Sequence, residues 1–232
     1  MAILKMGSTF GGGLSSRMGD FEDWVLQTLP ETSRELFDVW SEGMLFPDPK
    51  SLKGLIITGS HSMVTHPSNW DKKAMHWVRW ALDAGIPILG ICYGHQMLAQ
   101  ILGGVVGFLP DGPEIGYERL KFLGDYEADP LFGLYPSHFD SFAFHYQTIT
   151  RLPYSAKVLA RSVREASHAV KYGENVWGVQ YHPEFTRAIA QQYLIHESLE
   201  IERLGFDLRT LIQRAELERP PDPLIPRFVE LC

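Results

Sequence analysis

Apolar runs rich in β-branched residues recur along the chain at residues 2–6, 55–58, 86–91, 158–160 and 176–181, with amphipathic stretches between them. Near-continuous apolar runs of this length read as strands buried on both faces, because covering both sides of a sheet removes the apolar–polar alternation. Strands of this kind alternating with helices predict a doubly wound α/β domain, a mostly parallel sheet with helices on both faces. Residues 70–84 carry Met75, Val78 and Leu82 at helical spacing with Trp77 and Trp80 beside them, and the stretch ends at Gly85 followed by Pro87. It predicts a helix that feeds the 86–91 strand through a right-handed crossover. Between residues 105 and 150, shorter strand-like pieces at 119–123 and 142–144 alternate with Gly, Pro and Asp turns, which predicts a small added section of antiparallel hairpins. Helical periodicity returns over 185–204 and 207–219 and is broken by Arg219-Pro220-Pro221-Asp222-Pro223. The tail beyond is assigned to packing or an oligomer surface rather than chemistry.

The 232 residues suit one large domain with a full core. Lys plus Arg at 21 against Asp plus Glu at 28 leaves a net charge of −7 with no basic run, which argues against a nucleic-acid surface. No apolar stretch reaches the roughly 18 residues of a membrane span, and residues 1–6 are too short for a secretory signal, so the expected setting is cytoplasmic. Cys92 and Cys232 are the two cysteines and lie far apart, so reduced thiols are expected, with Cys232 a bystander.

Chemistry concentrates in two stretches, Gly90-Ile91-Cys92-Tyr93-Gly94-His95-Gln96 and Tyr181-His182-Pro183-Glu184. The first joins an apolar strand to a helix start, with glycines at Gly90 and Gly94 allowing a sharp turn. Cys92 thus falls at a nucleophile elbow, with a helix amino terminus beneath the sulfur, where an anionic nucleophile is favoured. Acyl transfer through cysteine needs an imidazole to move the proton and a group to fix the imidazole tautomer. His182 and Glu184 fit those two roles, and if their strand lies near that of Cys92 all three converge at the carboxyl edge of the sheet. An oxyanion needs preorganised N–H donors. Thr58-Gly59-Ser60-His61-Ser62 follows another apolar strand and offers the amides of Gly59 and Ser60, paired with that of Tyr93. Gly11-Gly12-Gly13 with Ser15-Ser16 lacks the spacing of a phosphate-binding loop and reads as a flexible loop near the site. Nine histidines show no ligand spacing with cysteine, so neither a metal nor another cofactor is expected.

On these residues the chain resembles a class I glutamine amidotransferase domain of the triad type, especially the stand-alone branch related to the GMP synthase amidotransferase domain. Gly-Ile-Cys-Tyr-Gly-His-Gln and Gly-Val-Gln-Tyr-His-Pro-Glu carry the resemblance. Similar residues continue at Trp70, Leu102-Gly103-Gly104, Glu114-Ile115-Gly116-Tyr117, Pro130-Leu131-Phe132 and Leu159-Ala160. It spans roughly residues 1–200, leaving 201–232 as a C-terminal helical extension packed on the same domain. The resemblance implies a flavodoxin-like three-layer fold, Cys92 as nucleophile, His182 as base, Glu184 as its orienting partner, and amides of Gly59, Ser60 and Tyr93 as the oxyanion hole. It implies substrate contacts at Gln96, and at His145 and Tyr146 within Phe144-His145-Tyr146-Gln147. Glutamine is the implied substrate, hydrolysed through a γ-glutamyl thioester. The protein partner that goes with this reading is a separate synthase subunit receiving the ammonia, and a homodimer is the further candidate assembly. Two rival readings stand beside it: a γ-glutamyl peptidase or hydrolase using the same thioester, and a silent binding or regulatory module. Two departures bear on the site. Gly59-Ser60-His61 stands where relatives often carry Gly-Gly-Pro, and Gln147 stands where they carry a carboxylate.

Overall fold

The computed structural model describes residues 1–9, 15–29, 35–38 and 45–232. In chain order the elements are β1 (Ala2–Lys5), α1 (Ser15–Met18), α2 (Phe21–Gln27), β2 (Glu35–Asp38), β3 (Leu55–Ile57), α3 (Asn69–Asp83), β4 (Ile88–Ile91), α4 (Tyr93–Ile101), β5 (Val105–Phe108) and β6 (Glu114–Phe122). There follow β7 (His138–His145), β8 (Gln147–Arg151), β9 (Lys157–Arg161), β10 (Ala169–Gly173), β11 (Val176–Val179), α5 (Arg187–His196), α6 (Ser198–Arg203), α7 (Leu208–Glu216) and α8 (Leu224–Glu230). Gly11, Gly12 and Gly13 lie outside the described residues, so the loop expected there is not located.

The apolar runs become the centre of one nine-stranded sheet of order β2-β1-β3-β4-β11-β10-β9-β6-β7. The first five strands are mutually parallel, and the remaining four extend the sheet with antiparallel pairing. β5 and β8 form a separate antiparallel ribbon. The architecture is therefore the α/β fold expected, with the hairpin section carried mainly within the same sheet.

Alternate residues of the central strands enter opposite faces, as strand geometry requires. Ala2, Leu4, Leu55, Ile57 and Ile88 pack with Trp77, Val78 and Ala81 of α3 and Met97 and Leu98 of α4. Ile3, Ile56, Leu89 and Ile91 pack on the other face with Val25 of α2 and Leu224, Ile225 and Phe228 of α8. The tail beyond the proline cluster thus contributes fully buried side chains to the core.

Helix boundaries follow local chemistry. α3 starts after Ser68, whose hydroxyl accepts from the Asp71 amide while the Asp71 carboxylate accepts from the Ser68 amide, a reciprocal cap. β4 begins only at Ile88, after Pro87, which has no N–H to give to a ladder. The helical stretch expected over 185–204 is interrupted at Glu197, which ends α5 and precedes α6. The stretch expected over 207–219 ends at Glu216. No helix among the described residues is long and apolar enough to cross a membrane.

Candidate active site

β4 and β11 run parallel with Gly90 opposite Gly178 and Ile91 opposite Val179. Two strands in this register release the residues that follow them at the same edge of the sheet, so Cys92 and the segment from Gln180 to Glu184 emerge side by side. Cys92 makes the turn at φ 49° and ψ −98°, and no other non-glycine described residue has positive φ. A side chain held there costs about 1–3 kcal/mol, so the surrounding structure must enforce it. It does so through the Cys92 amide, which donates to the Val179 carbonyl at 2.7 Å, and the Cys92 carbonyl, which accepts from the Gln96 amide at 3.1 Å. The glycines around the elbow allow α4 to lie directly on the sheet. A Cβ on Gly90 would stand 2.6 Å from the Gly94 carbonyl, and one on Gly94 would stand 2.5 Å from the Ile57 carbonyl oxygen. The first turn of α4 leaves amides without helical acceptors, among them that of Tyr93.

His182 is buried, with Nδ1 2.7 Å from Glu184 Oε1. The imidazole faces the same cavity as the Cys92 sulfur, which adds to the field on the ring. Burial opposes a charge on the ring, but the Glu184 carboxylate and then the Cys92 sulfur outweigh it and raise the His182 pKa well above the ordinary imidazole range. Phe21, first residue of α2, lies flat on the ring, with centroids 5.8 Å apart and planes within 13°. Asp20 fixes this position by capping α2 through a reciprocal bond with Asp23. Gln180, two residues before His182 and hence on the same side of the segment, donates Nε2 to Cys92 Sγ at 3.5 Å. Its Oε1 accepts from Gln96 Nε2 at 2.9 Å.

The turn after β3 closes over these groups. A Cβ on Gly59 would stand 3.1 Å from His182 Cε1, so this glycine admits the imidazole. Ser60 Oγ accepts from the Ser62 amide at 3.0 Å. His61 sits inside the site wall with Nε2 2.6 Å from the Tyr193 hydroxyl of α5. Its pKa lies below the usual imidazole value, through burial and then the charge of His182.

A cavity of about 320 Å³ opens above Cys92, lined among others by Ser60, His61, Gln96, His145, Tyr146, Gln147, His182, Glu197 and Glu200. The sequence-expected contacts therefore share one space, but they are not equally available. Gln96 uses its amide hydrogens on the Gln147 carbonyl and on Gln180 Oε1, both at 2.9 Å. His145 has both ring nitrogens engaged, Nδ1 with the Gln147 carbonyl and Nε2 with Glu114 Oε2, each at 2.9 Å. It meets the cavity with its ring rather than with an N–H. The Tyr146 hydroxyl donates to Glu200 Oε1 at 3.3 Å. A second histidine, His138 in Ser137-His138-Phe139-Asp140, begins β7, whereas His145 ends it, and of the two only His145 lines the cavity.

Behind His145, Glu114, His145 and His168 bring one ligand atom each to within 4.8 Å of one another, a trio able to hold a metal. The same Glu114 oxygen is 2.9 Å from His145 Nε2 and 2.8 Å from His168 Nε2, the latter off the line an N–H would need. Tetrahedral ligands about 2.0–2.1 Å from an ion stand farther apart than these contacts, which are hydrogen-bond lengths. Ser162 adds a further donor at 2.6 Å. Although burial opposes its charge, the two imidazoles hold the Glu114 carboxyl well below the ordinary carboxylate range.

A model of the class I glutamine amidotransferase family matches residues 28–201. The chain belongs to that family. It is 39% identical over 131 residues to the GMP synthase [glutamine-hydrolyzing] of Aeropyrum pernix, an alignment covering 56% of this chain and 24% of that protein. It is 32% identical over 149 residues to γ-glutamyl peptidase 5 of Arabidopsis thaliana, covering 62% of this chain and 59% of the relative. The chain thus spans less than two thirds of the length of the curated relatives it matches first. A glutamine amidotransferase structure from Thermotoga maritima superposes with a TM-score of 0.79 at 23% identity, covering 99% of this chain and 96% of that one, and shares the fold.

Sequence reasoning did not find Gln180, Phe21, Tyr193 or the trio behind His145. Gln180 had a signal, since it stands two positions before His182 in a motif already singled out, on the same side of the chain. Phe21, Tyr193, Glu114 and His168 are joined to the site only by tertiary contacts.

Proposed function

We propose that this class I amidotransferase chain hydrolyses the side-chain amide of glutamine through a γ-glutamyl thioester on Cys92. The observation carrying the reading is Cys92 at a strained elbow, sharing one cavity with an imidazole that is held on the Glu184 carboxylate at 2.7 Å and thereby made a strong proton acceptor. In this scheme the Cys92 proton rests on His182, the sulfur attacks the amide carbon, and the amides of Ser60 and Tyr93, with that of Gly59 beside them, receive the charge on the carbonyl oxygen. His182 returns the proton to the departing nitrogen, the C–N bond breaks, and ammonia leaves a thioester. Water then attacks the thioester carbon with His182, now neutral, as base, which breaks the C–S bond, frees glutamate and leaves the proton on His182 as at the start. Gln180 and Gln96 orient the sulfur and the substrate, while His145 acts by holding the Gln147 carbonyl in place. Ammonia released here serves a biosynthetic reaction only if a synthase receives it. The match to about a quarter of a GMP synthase supports that arrangement as a candidate.

A second reading, hydrolysis of a larger γ-glutamyl amide, is favoured by the cavity's extent. It continues to Tyr146, Glu197 and Glu200, with no Lys or Arg among its described lining residues. Glu200 is paired with Arg203 at 2.6 Å, so the preference of this wall for a departing amine over an acidic group rests on Glu197. The deciding experiment follows glutamate release from glutamine and from a panel of γ-glutamyl amides, using wild type and Cys92→Ala, with mass spectrometry of Cys92 after a glutamine-like electrophile. Release that survives Cys92→Ala, or no release and no labelling with any donor, refutes the reading. Faster turnover of the amides than of glutamine selects the second.

A further inference from the structure

A turn that supplies oxyanion donors must hold its amides still, because donors that reorganise during the reaction lose their advantage. The turn after β3 carries side chains at Ser60 and His61, and those side chains tie it down. Ser60 braces the turn internally by accepting from the Ser62 amide at 3.0 Å. His61 braces it externally, since its Nε2 stands 2.6 Å from the Tyr193 hydroxyl, 132 positions away on α5. Tyr193 is itself immobilised, fully buried against Phe142, Phe144 and Phe185 with ring centroids 6.2, 5.1 and 5.3 Å away. His61 also meets Phe21 edge-on at 6.1 Å, and Phe21 is the ring stacked on His182. His61 therefore links the turn to α5 through Tyr193 and to the base through Phe21. Burial, and then the field of His182, lower the His61 pKa and so favour the neutral ring in this link.

We propose that His61 and Tyr193 form a latch that holds residues 59–62 in their catalytic position, so that the chain turns over a γ-glutamyl donor without a second protein to order the turn. The inference rests on the reading of Cys92 as the nucleophile and adds positioning roles for two residues outside the triad. The latch acts on the fraction of molecules whose turn is competent, so its loss lowers kcat by that fraction while leaving substrate affinity largely intact.

The test compares Tyr193→Phe, which removes one hydroxyl and keeps the packed ring, with His61→Ala, the double variant and His61→Gln, all as the purified chain alone. The latch predicts a kcat loss of about tenfold or more, the scale of one lost hydrogen bond, with KM changed by less than about threefold. It predicts that the double variant is no worse than the worse single one, because both remove the same contact. His61→Gln, which can still reach the hydroxyl, recovers part of the loss. Independently of turnover, amide hydrogen exchange over residues 59–62 accelerates in Tyr193→Phe while the global unfolding transition stays in place. Unchanged exchange, or losses that add in the double variant, overturns the latch. A wild-type chain that binds and labels at Cys92 but turns over only with an added partner also overturns it. If hydrolysis survives Cys92→Ala, the functional reading fails, and the exchange measurement still decides the latch.

Discussion

Replacing Gly94 by alanine places a methyl group where the first turn of α4 crosses β3. The added carbon would lie 2.5 Å from the Ile57 carbonyl oxygen and 2.8 Å from Ile57 Cβ. The first distance falls about 0.9 Å short of the 3.4 Å at which ordinary contact begins. Neither neighbour can yield by rotating, because one is backbone in the middle of the parallel sheet and the other is the stiff branch point of a β-branched side chain. The helix start must lift, and Cys92, one residue before the helix, lifts with it. Overpacking of this kind costs about 1–3 kcal/mol, which in a chain of this size lowers Tm by about 2–12 °C. Displacing a nucleophile by about 1 Å costs on the order of a hundredfold in rate. The expected result is therefore a folded variant with a moderately lower Tm by circular dichroism and a kcat/KM for the preferred γ-glutamyl donor down by about two decades. Activity should fall far more than the modest stability loss would account for. A variant with wild-type Tm and kcat/KM within about twofold would refute the claim that this approach of helix to sheet positions the sulfur.

Three further outcomes follow from the same geometry. Glu184→Gln removes the main support of the His182 charge, and breaking a buried pair costs about 3–5 kcal/mol. Because the His182 pKa is raised from 6.5 to about 10, this stabilisation is complete below pH 6.5 and fades as pH rises toward 10. Denaturation at pH 6 and pH 10 should show the gap between wild type and variant closing at the higher pH, and a constant gap contradicts the assignment. Glu114→Gln has the opposite sign, since a depressed carboxyl stabilises above its unfolded pKa. Its cost of about 3–5 kcal/mol at pH 7 should shrink as pH falls below about 4, read from denaturant midpoints. Phe228→Ala deletes a fully buried ring of α8 from the core that backs β4 and β11. It should cost about 3–5 kcal/mol, lowering Tm by about 6–20 °C, whereas an unchanged Tm would mean that α8 does not stabilise the fold.

The elbow was legible because its causes are local. Gly90 and Gly94 flank Cys92 at the junction of an apolar run and a helical pattern, and that spacing dictates a sharp turn that sets the sulfur at the carboxyl edge of the sheet. The partnership of His182 with Glu184 was legible for the same reason, since two residues of separation across a proline bring the side chains into contact without help from elsewhere. Gly59 and Ser60 were recognisable as a strand-end turn, but their neighbour His61 was not assigned a partner. Its hydrogen bond to Tyr193 spans 132 positions. The role of His145 changed once the chain was folded, because both nitrogens proved to be occupied by Gln147 and Glu114. The interruption at Glu197, which brings a carboxylate to the cavity wall, was likewise hidden inside a continuous helical pattern.

The sequence by itself determined the alternation of strands and helices, the elbow at Cys92, and the pairing of His182 with Glu184. Each depends on hydrophobic periodicity or on residues a few positions apart. Tertiary structure decided that β11 lies beside β4 in the register that brings His182 to Cys92. It also decided that Phe21 stacks on the imidazole, that Gln180 contacts the sulfur, and that α5 anchors the turn over the site. Those contacts join distant segments through packing whose energy is spread over many side chains, so no short stretch of the chain carries their signature.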